Sequence, residues 1–148
     1  MYKVENMKAS ARNQFAGIVS VVSIGDVNAE VHVGLAEGET LIASVTKESL
    51  EALGIKVGLE VVALVKATQV IIVTDFGGYR LSARNQLQGV ITEVKPGAVN
   101  AEIDIKLKGG ELIAATVTND SVETLGLYKG QVATAIFKAG VVILAVAN

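Results

Sequence analysis

Val99-Asn100-Ala101-Glu102-Ile103-Asp104-Ile105-Lys106-Leu107 places an apolar side chain at every odd position and a polar one at every even position. Period two is the period of a β-strand, whose successive side chains point to opposite faces. The stretch therefore reads as a strand with one buried face. Seventy-two residues earlier, Val27, Ala29, Val31, Val33 and Leu35 keep the same phase.

The phase is shared because the sequence repeats. Ser10-Ala11-Arg12-Asn13-Gln14 returns as Ser82-Ala83-Arg84-Asn85-Gln86, and the offset then holds without a gap, with roughly 28 of 64 aligned pairs identical. Gly17, Gly25, Asn28, Glu30, Gly38, Thr46, Ser49, Gly54, Gly58, Lys66 and Ala67 recur as Gly89, Gly97, Asn100, Glu102, Gly110, Thr118, Ser121, Gly126, Gly130, Lys138 and Ala139. Two copies of one module are expected at 10–73 and 82–148, with a linker at 74–81 and an N-terminal extension at 1–9.

Each copy reads as β. Ahead of the alternating strand lies a β-branched one, 15–24 or 87–95, closed by Gly25-Asp26 or Pro96-Gly97. A third strand follows a turn at Glu37-Gly38 or Gly109-Gly110. Copy one has Ala36-Glu37-Gly38 where copy two has Lys108-Gly109-Gly110, so a differently shaped hairpin is expected in copy one. One short helix comes next, with Thr46 or Thr118 as N-cap and Gly54 or Gly126 at the left-handed C-terminal position. Two further strands follow, 60–66 with 70–73 and 131–138 with 141–146. Three strands, a helical turn and two strands predict an all-β protein of two tandem OB-like five-stranded barrels, each with one short helix.

Composition narrows the function. The 148 residues hold no Cys and one His, which excludes disulfides, thiolate zinc, a cysteine nucleophile and a histidine cage. A net charge of -2 and a pI near 5.4 argue against a nucleic-acid groove, and so do six Phe and Tyr residues in all, because single strands are held on aromatic stacking platforms. No apolar run approaches a membrane span, and residues 1–7 are too polar for a signal peptide, so a soluble cytoplasmic protein is expected.

Ser-Ala-Arg-Asn-Gln, then Gly-x-Val-Asn-Ala-Glu, then Val-Thr-x-x-Ser-x-x-x-Leu-Gly, then Lys-Ala, in order and twice, resembles the molybdate-binding Mop domain. Two such modules filling nearly the whole chain resemble the di-Mop molbindins, which store or buffer molybdate. The resemblance implies OB-like barrels, a homotrimer, and molybdate or tungstate bound between modules. Carried over residue by residue, it implies Ser10, Arg12, Lys66 and Ala67 on one module face, and Thr46 and Ser49 on another. The second copy supplies Ser82, Arg84, Lys138 and Ala139, with Thr118 and Ser121. A second class of site near the threefold axis is implied for the loops of Asn28 and Asn100.

The residue types suit that ligand. Molybdate is a tetrahedral dianion with acceptor oxygens only, so its pocket must consist of donors. None of the matched positions is acidic, which disfavours partly protonated phosphate and leaves sulfate to be separated by pocket size. Each position also has a plainer reading. Thr46 and Thr118 serve as N-caps in any case; Lys66 and Lys138 can be solvated strand ends; Asn28 and Asn100 can satisfy a strand start. Glu30 and Glu102 read as structural, since a carboxylate repels a dianion, and His32 is replaced by Asp104 in copy two.

Other classes fit less well. Neither a nucleophile–base pair nor a repeated carboxylate pair is present, so an enzyme is not expected. A molybdate-responsive regulatory module acting on a separate partner protein is the alternative reading, since the sequence contains neither a helix-turn-helix pattern nor a P-loop.

Overall fold

The computed structural model describes residues 7–148; positions 1–6 of the expected extension lie outside the described residues. The chain divides into two compact units. One holds the residues up to Val65 together with Lys138–Asn148, and the other is Lys66–Phe137.

In the first unit β1 (Asn13–Ile24), β2 (Asn28–Leu35) and β3 (Thr40–Thr46) form an antiparallel meander. Its inward positions Val31, Val33, Leu41 and Ala43 are fully buried, as the period-two pattern requires. Helix α1 (Lys47–Leu53) follows, then β4 (Glu60–Val65), which pairs with β1. The second unit repeats this plan with β6 (Asn85–Pro96), β7 (Asn100–Leu107), β8 (Leu112–Thr118), α2 (Asn119–Leu125) and β9 (Val132–Phe137).

The fifth strand corrects the sequence reading. After a 3-10 turn at Ala67–Gln69 the short strand β5 (Ile71–Val73) pairs with β9, and β10 (Ile143–Ala145) pairs with β4. The sheet orders are β10-β4-β1-β2-β3 and β5-β9-β6-β7-β8. Each barrel is thus completed by the last strand of the other repeat.

The hairpin expectation is also corrected. Gly38 and Gly110 take φ 105° and 103°, and each donates its N–H to the carbonyl of Leu35 or Leu107 at 3.1 or 2.9 Å. The turns match because the left-handed position is the second glycine, which both copies keep; Glu37 occupies a position open to any residue. The helix expectations agree in both copies. The Thr46 and Thr118 hydroxyls accept from the N–H of Ser49 and Ser121, and Gly54 and Gly126 are left-handed at φ 67° and 61°.

β1 and β6 are long because each curls through a bulge. The register with β2 shifts between Val19 and Val21, and that with β7 between Ile91 and Glu93. The curl presses Gly17 and Gly89 onto their partner strands. A Cβ on Gly17 would lie 2.5 Å from Val33 Cγ1 and 2.7 Å from the Gly34 carbonyl, and one on Gly89 would collide with the Lys106 carbonyl. Because a paired backbone cannot yield as a side chain does, Gly89→Ala is expected to cost about 3 kcal/mol. Thermal unfolding should show a midpoint roughly 6–12 °C lower; an unchanged midpoint would refute the close approach.

Candidate functional site

Strand pairing assigns the twelve expected ligand residues to two kinds of place. The first is where β1 begins and β4 ends. Asn13 pairs with Val65, so Ser10 and Arg12 lead into this pair and Lys66 and Ala67 lead out of it. In the second barrel Asn85 pairs with Phe137, flanked in the same way by Ser82 and Arg84 and by Lys138 and Ala139. Ser10, Arg12, Lys66, Ser82, Arg84 and Lys138 are exposed, whereas Ala67 and Ala139 are buried. Lys66 and Lys138 are extended residues at the entrance to the 3-10 turns, which end the ladder just as the chain passes into the other unit.

The second place is where β3 gives way to α1. Asn28 pairs with Thr46, and Asn100 with Thr118, so the asparagines stand beside the hydroxyls in register. The Thr46 hydroxyl accepts from the Ser49 N–H at 3.0 Å and donates to Ser49 Oγ at 2.8 Å. That direction leaves the Ser49 O–H proton for an outside acceptor. Thr118 and Ser121 form the same pair, at 3.1 and 2.8 Å, with either hydroxyl able to donate to the other.

These two places lie at opposite ends of β1. The β1–β2 register runs from Gly17 opposite Leu35 to Ile24 opposite Ala29, which carries Asn28 and Thr46 to the end away from Arg12. From Asn13 to Ile24 the strand path is roughly 36 Å at about 3.3 Å per residue.

The hydroxyl end is not attractive to anions by itself. Thr46 borders a shallow depression lined also by Asp26, Val27, Lys47, Glu48, Glu51 and Ala52. Three carboxylates against one ammonium oppose a dianion there. At the other end stand the cationic side chains of Arg12 and Lys66, and in the second copy those of Arg84 and Lys138.

Glu30 is engaged along its own strand and Glu102 across to the neighbouring strand β6. Glu30 Oε1 is 2.9 Å from His32 Nε2, and Glu102 Oε2 lies 3.4 Å from Lys95 Nζ. Lys95 also faces Asp104 at 3.5 Å and Glu93 at 3.6 Å. Asp104 foremost, then Glu93 and Glu102, holds its ammonium above the ordinary lysine range.

Sequence reasoning overlooked two members of the repeated motif. Asn13 and Asn85 are the polar residues buried at the start of β1 and β6, 2% and 1% exposed. Gln14 Nε2 donates to the Ala11 carbonyl at 3.2 Å, and Gln86 Nε2 to those of Ala83 and Leu81 at 2.9 and 3.1 Å. Their signal was identity in both copies without a chemical role for the ligand.

Comparison with known proteins follows this geometry. The TOBE domain family matches residues 9–72 and 81–144. A solved structure of the cytoplasmic molybdate-binding protein ModG, with molybdate bound, superposes with a TM-score of 0.92 at 50% identity, over 95% of this chain and 100% of that one. The molybdenum transport protein ModE of Herbaspirillum seropedicae is 43% identical over 141 residues, which are 95% of this chain and 52% of that protein. The molybdenum-pterin-binding protein MopA of Rhodobacter capsulatus is 41% identical over 139 residues, 94% of this chain and 52% of that protein. The chain thus spans about half the length of the curated relatives it matches. With the motif present twice, on two barrels of one plan, the chain belongs to the TOBE domain family as a tandem, Mop-type molbindin.

Proposed function

We propose that this protein binds molybdate or tungstate reversibly in the cytoplasm, storing or buffering the oxyanion without chemical change. The observation that carries this reading is the donor set kept twice at equivalent strand ends: Ser10, Arg12, Lys66 and Ala67, and Ser82, Arg84, Lys138 and Ala139. Thr46 with Ser49, and Thr118 with Ser121, complete the ligand shell, and the loops of Asn28 and Asn100 serve a second class of site. The molybdate-bound ModG relative supports the same ligand. Among the described residues no cluster of His, Asp and Glu is arranged to hold a metal cation, and no helix is long and apolar enough to cross a membrane.

The cationic and hydroxyl ends lie at opposite ends of β1, and in this reading each is completed by a module of another chain. A cyclic homotrimer closes such head-to-tail contacts. Val27 and Val99, each 71% exposed beside the hydroxyl ends, and Ile24, 59% exposed, supply apolar surface for that contact.

Equilibrium dialysis at micromolar molybdate is expected to show saturable uptake, with tungstate competing and phosphate not. Light scattering should return three times 15.4 kDa. Absence of saturable uptake would overturn the ligand assignment; a monomer with and without molybdate would overturn the shared sites.

A further inference from the structure

We propose that Gln14 and Gln86 are positioning residues for oxyanion binding, acting through Arg12 and Arg84; this rests on the ligand reading above. Arg12 and Arg84 stand in irregular backbone just before β1 and β6. They immediately precede Asn13 and Asn85, the first residues of the two ladders. A glutamine two residues on holds the peptide that leads into each arginine. Gln14 Nε2 donates to the Ala11 carbonyl at 3.2 Å, and Gln86 Nε2 to the Ala83 carbonyl at 2.9 Å.

The Ala11 carbonyl and the Arg12 N–H belong to one planar peptide unit, and so do the Ala83 carbonyl and the Arg84 N–H. Holding the carbonyl therefore fixes the direction of the arginine N–H and of the chain on which its side chain stands. Gln86 does more. Its second bond, to the Leu81 carbonyl at 3.1 Å, fixes the peptide that carries the Ser82 N–H. One amide with two protons thus sets both the serine and the arginine of the second copy, while Gln14 sets the arginine of the first.

Glutamine is suited to this by chemistry as well as position. Each glutamine occupies a strand position, Gln14 paired with Leu64 and Gln86 with Ile136, so its backbone is fixed by the ladder while its amide reaches back to the loop. Pre-organised donors bind more tightly than donors that must be ordered on binding. A glutamate would keep the shape but offer no proton, and a methionine would keep the bulk without hydrogen bonding.

The test is calorimetric titration of the full chain with sodium molybdate, alongside thermal unfolding of the ligand-free protein. Gln86→Met is expected to weaken molybdate binding about five- to tenfold, the change produced by losing one or two hydrogen bonds. Gln14→Met should weaken it by less, and both variants should unfold within a few degrees of the wild type. Affinities within twofold of wild type in both variants would overturn the proposal. So would a fall in unfolding midpoint with affinity retained, the pattern of a contact serving only the fold. A wild-type protein that takes up no molybdate would overturn the parent reading and this one together; wild-type uptake matched by the variants overturns this one alone.

Discussion

Alanine at Arg12, Lys66, Arg84 and Lys138 together is expected to abolish molybdate binding and leave both barrels folded. Losing one cation that faces a desolvated dianion typically costs about 2–5 kcal/mol, or roughly thirtyfold to several thousandfold in affinity. Each strand end loses two. A micromolar site therefore moves beyond the millimolar range. The fold tolerates the change because all four residues are exposed at strand ends, and surface substitutions usually lie within about 0.5 kcal/mol. Equilibrium dialysis measures the loss and circular dichroism the surviving β-structure. Retained stoichiometry and affinity would show the site assignment to be wrong. Glu30→Gln is the control: its carboxylate is engaged with His32 and ligates no dianion, so stoichiometry should stay at the wild-type value.

Leu144→Asp is expected to open the barrel built mainly from the first repeat, although Leu144 belongs to the second. Leu144 is 7% exposed, and its strand β10 pairs with β4, opposite Ala63. A carboxylate there is buried without a partner, and such substitutions reach about 4–5 kcal/mol or more. Hydrogen exchange should show β4 and β1 losing protection before β9 and β6. The mirror variant, Ile72→Asp, should open the other unit, since Ile72 is 7% exposed opposite Ala135 on β9. If each variant exposed the barrel of its own repeat first, the exchanged strands would be refuted.

Much of the fold was legible locally. The alternation through residues 99–107 marks the buried face that β7 presents, and the same phase in copy one marks that of β2. Thr46 and Gly54 announced the ends of α1 through the hydrogen-bonding and backbone needs of helix termini, which involve neighbours only. The candidate ligands came from the family resemblance, and the repeat supported them as an internal comparison. Charges such as Lys47 and Lys56 changed between copies, while Arg12 and Lys66 did not. Asn13 and Gln14 were equally retained, but their roles depend on contacts that residue type does not reveal: one side chain is buried, and the other folds back on a carbonyl.

By itself, then, the sequence determined the strands, the helix caps and the two-copy plan, all properties of local periodicity or of the repeat. Only the tertiary structure decided which barrel each fifth strand completes. Val70-Ile71-Ile72-Val73 and Val142-Ile143-Leu144-Ala145 are near-equivalent apolar strands, and β4 and β9 offer them equivalent edges. Side-chain complementarity is therefore degenerate between the two pairings. The pairings of β10 with β4 and of β5 with β9 join strands far apart in sequence, a non-local property that no window of residues encodes.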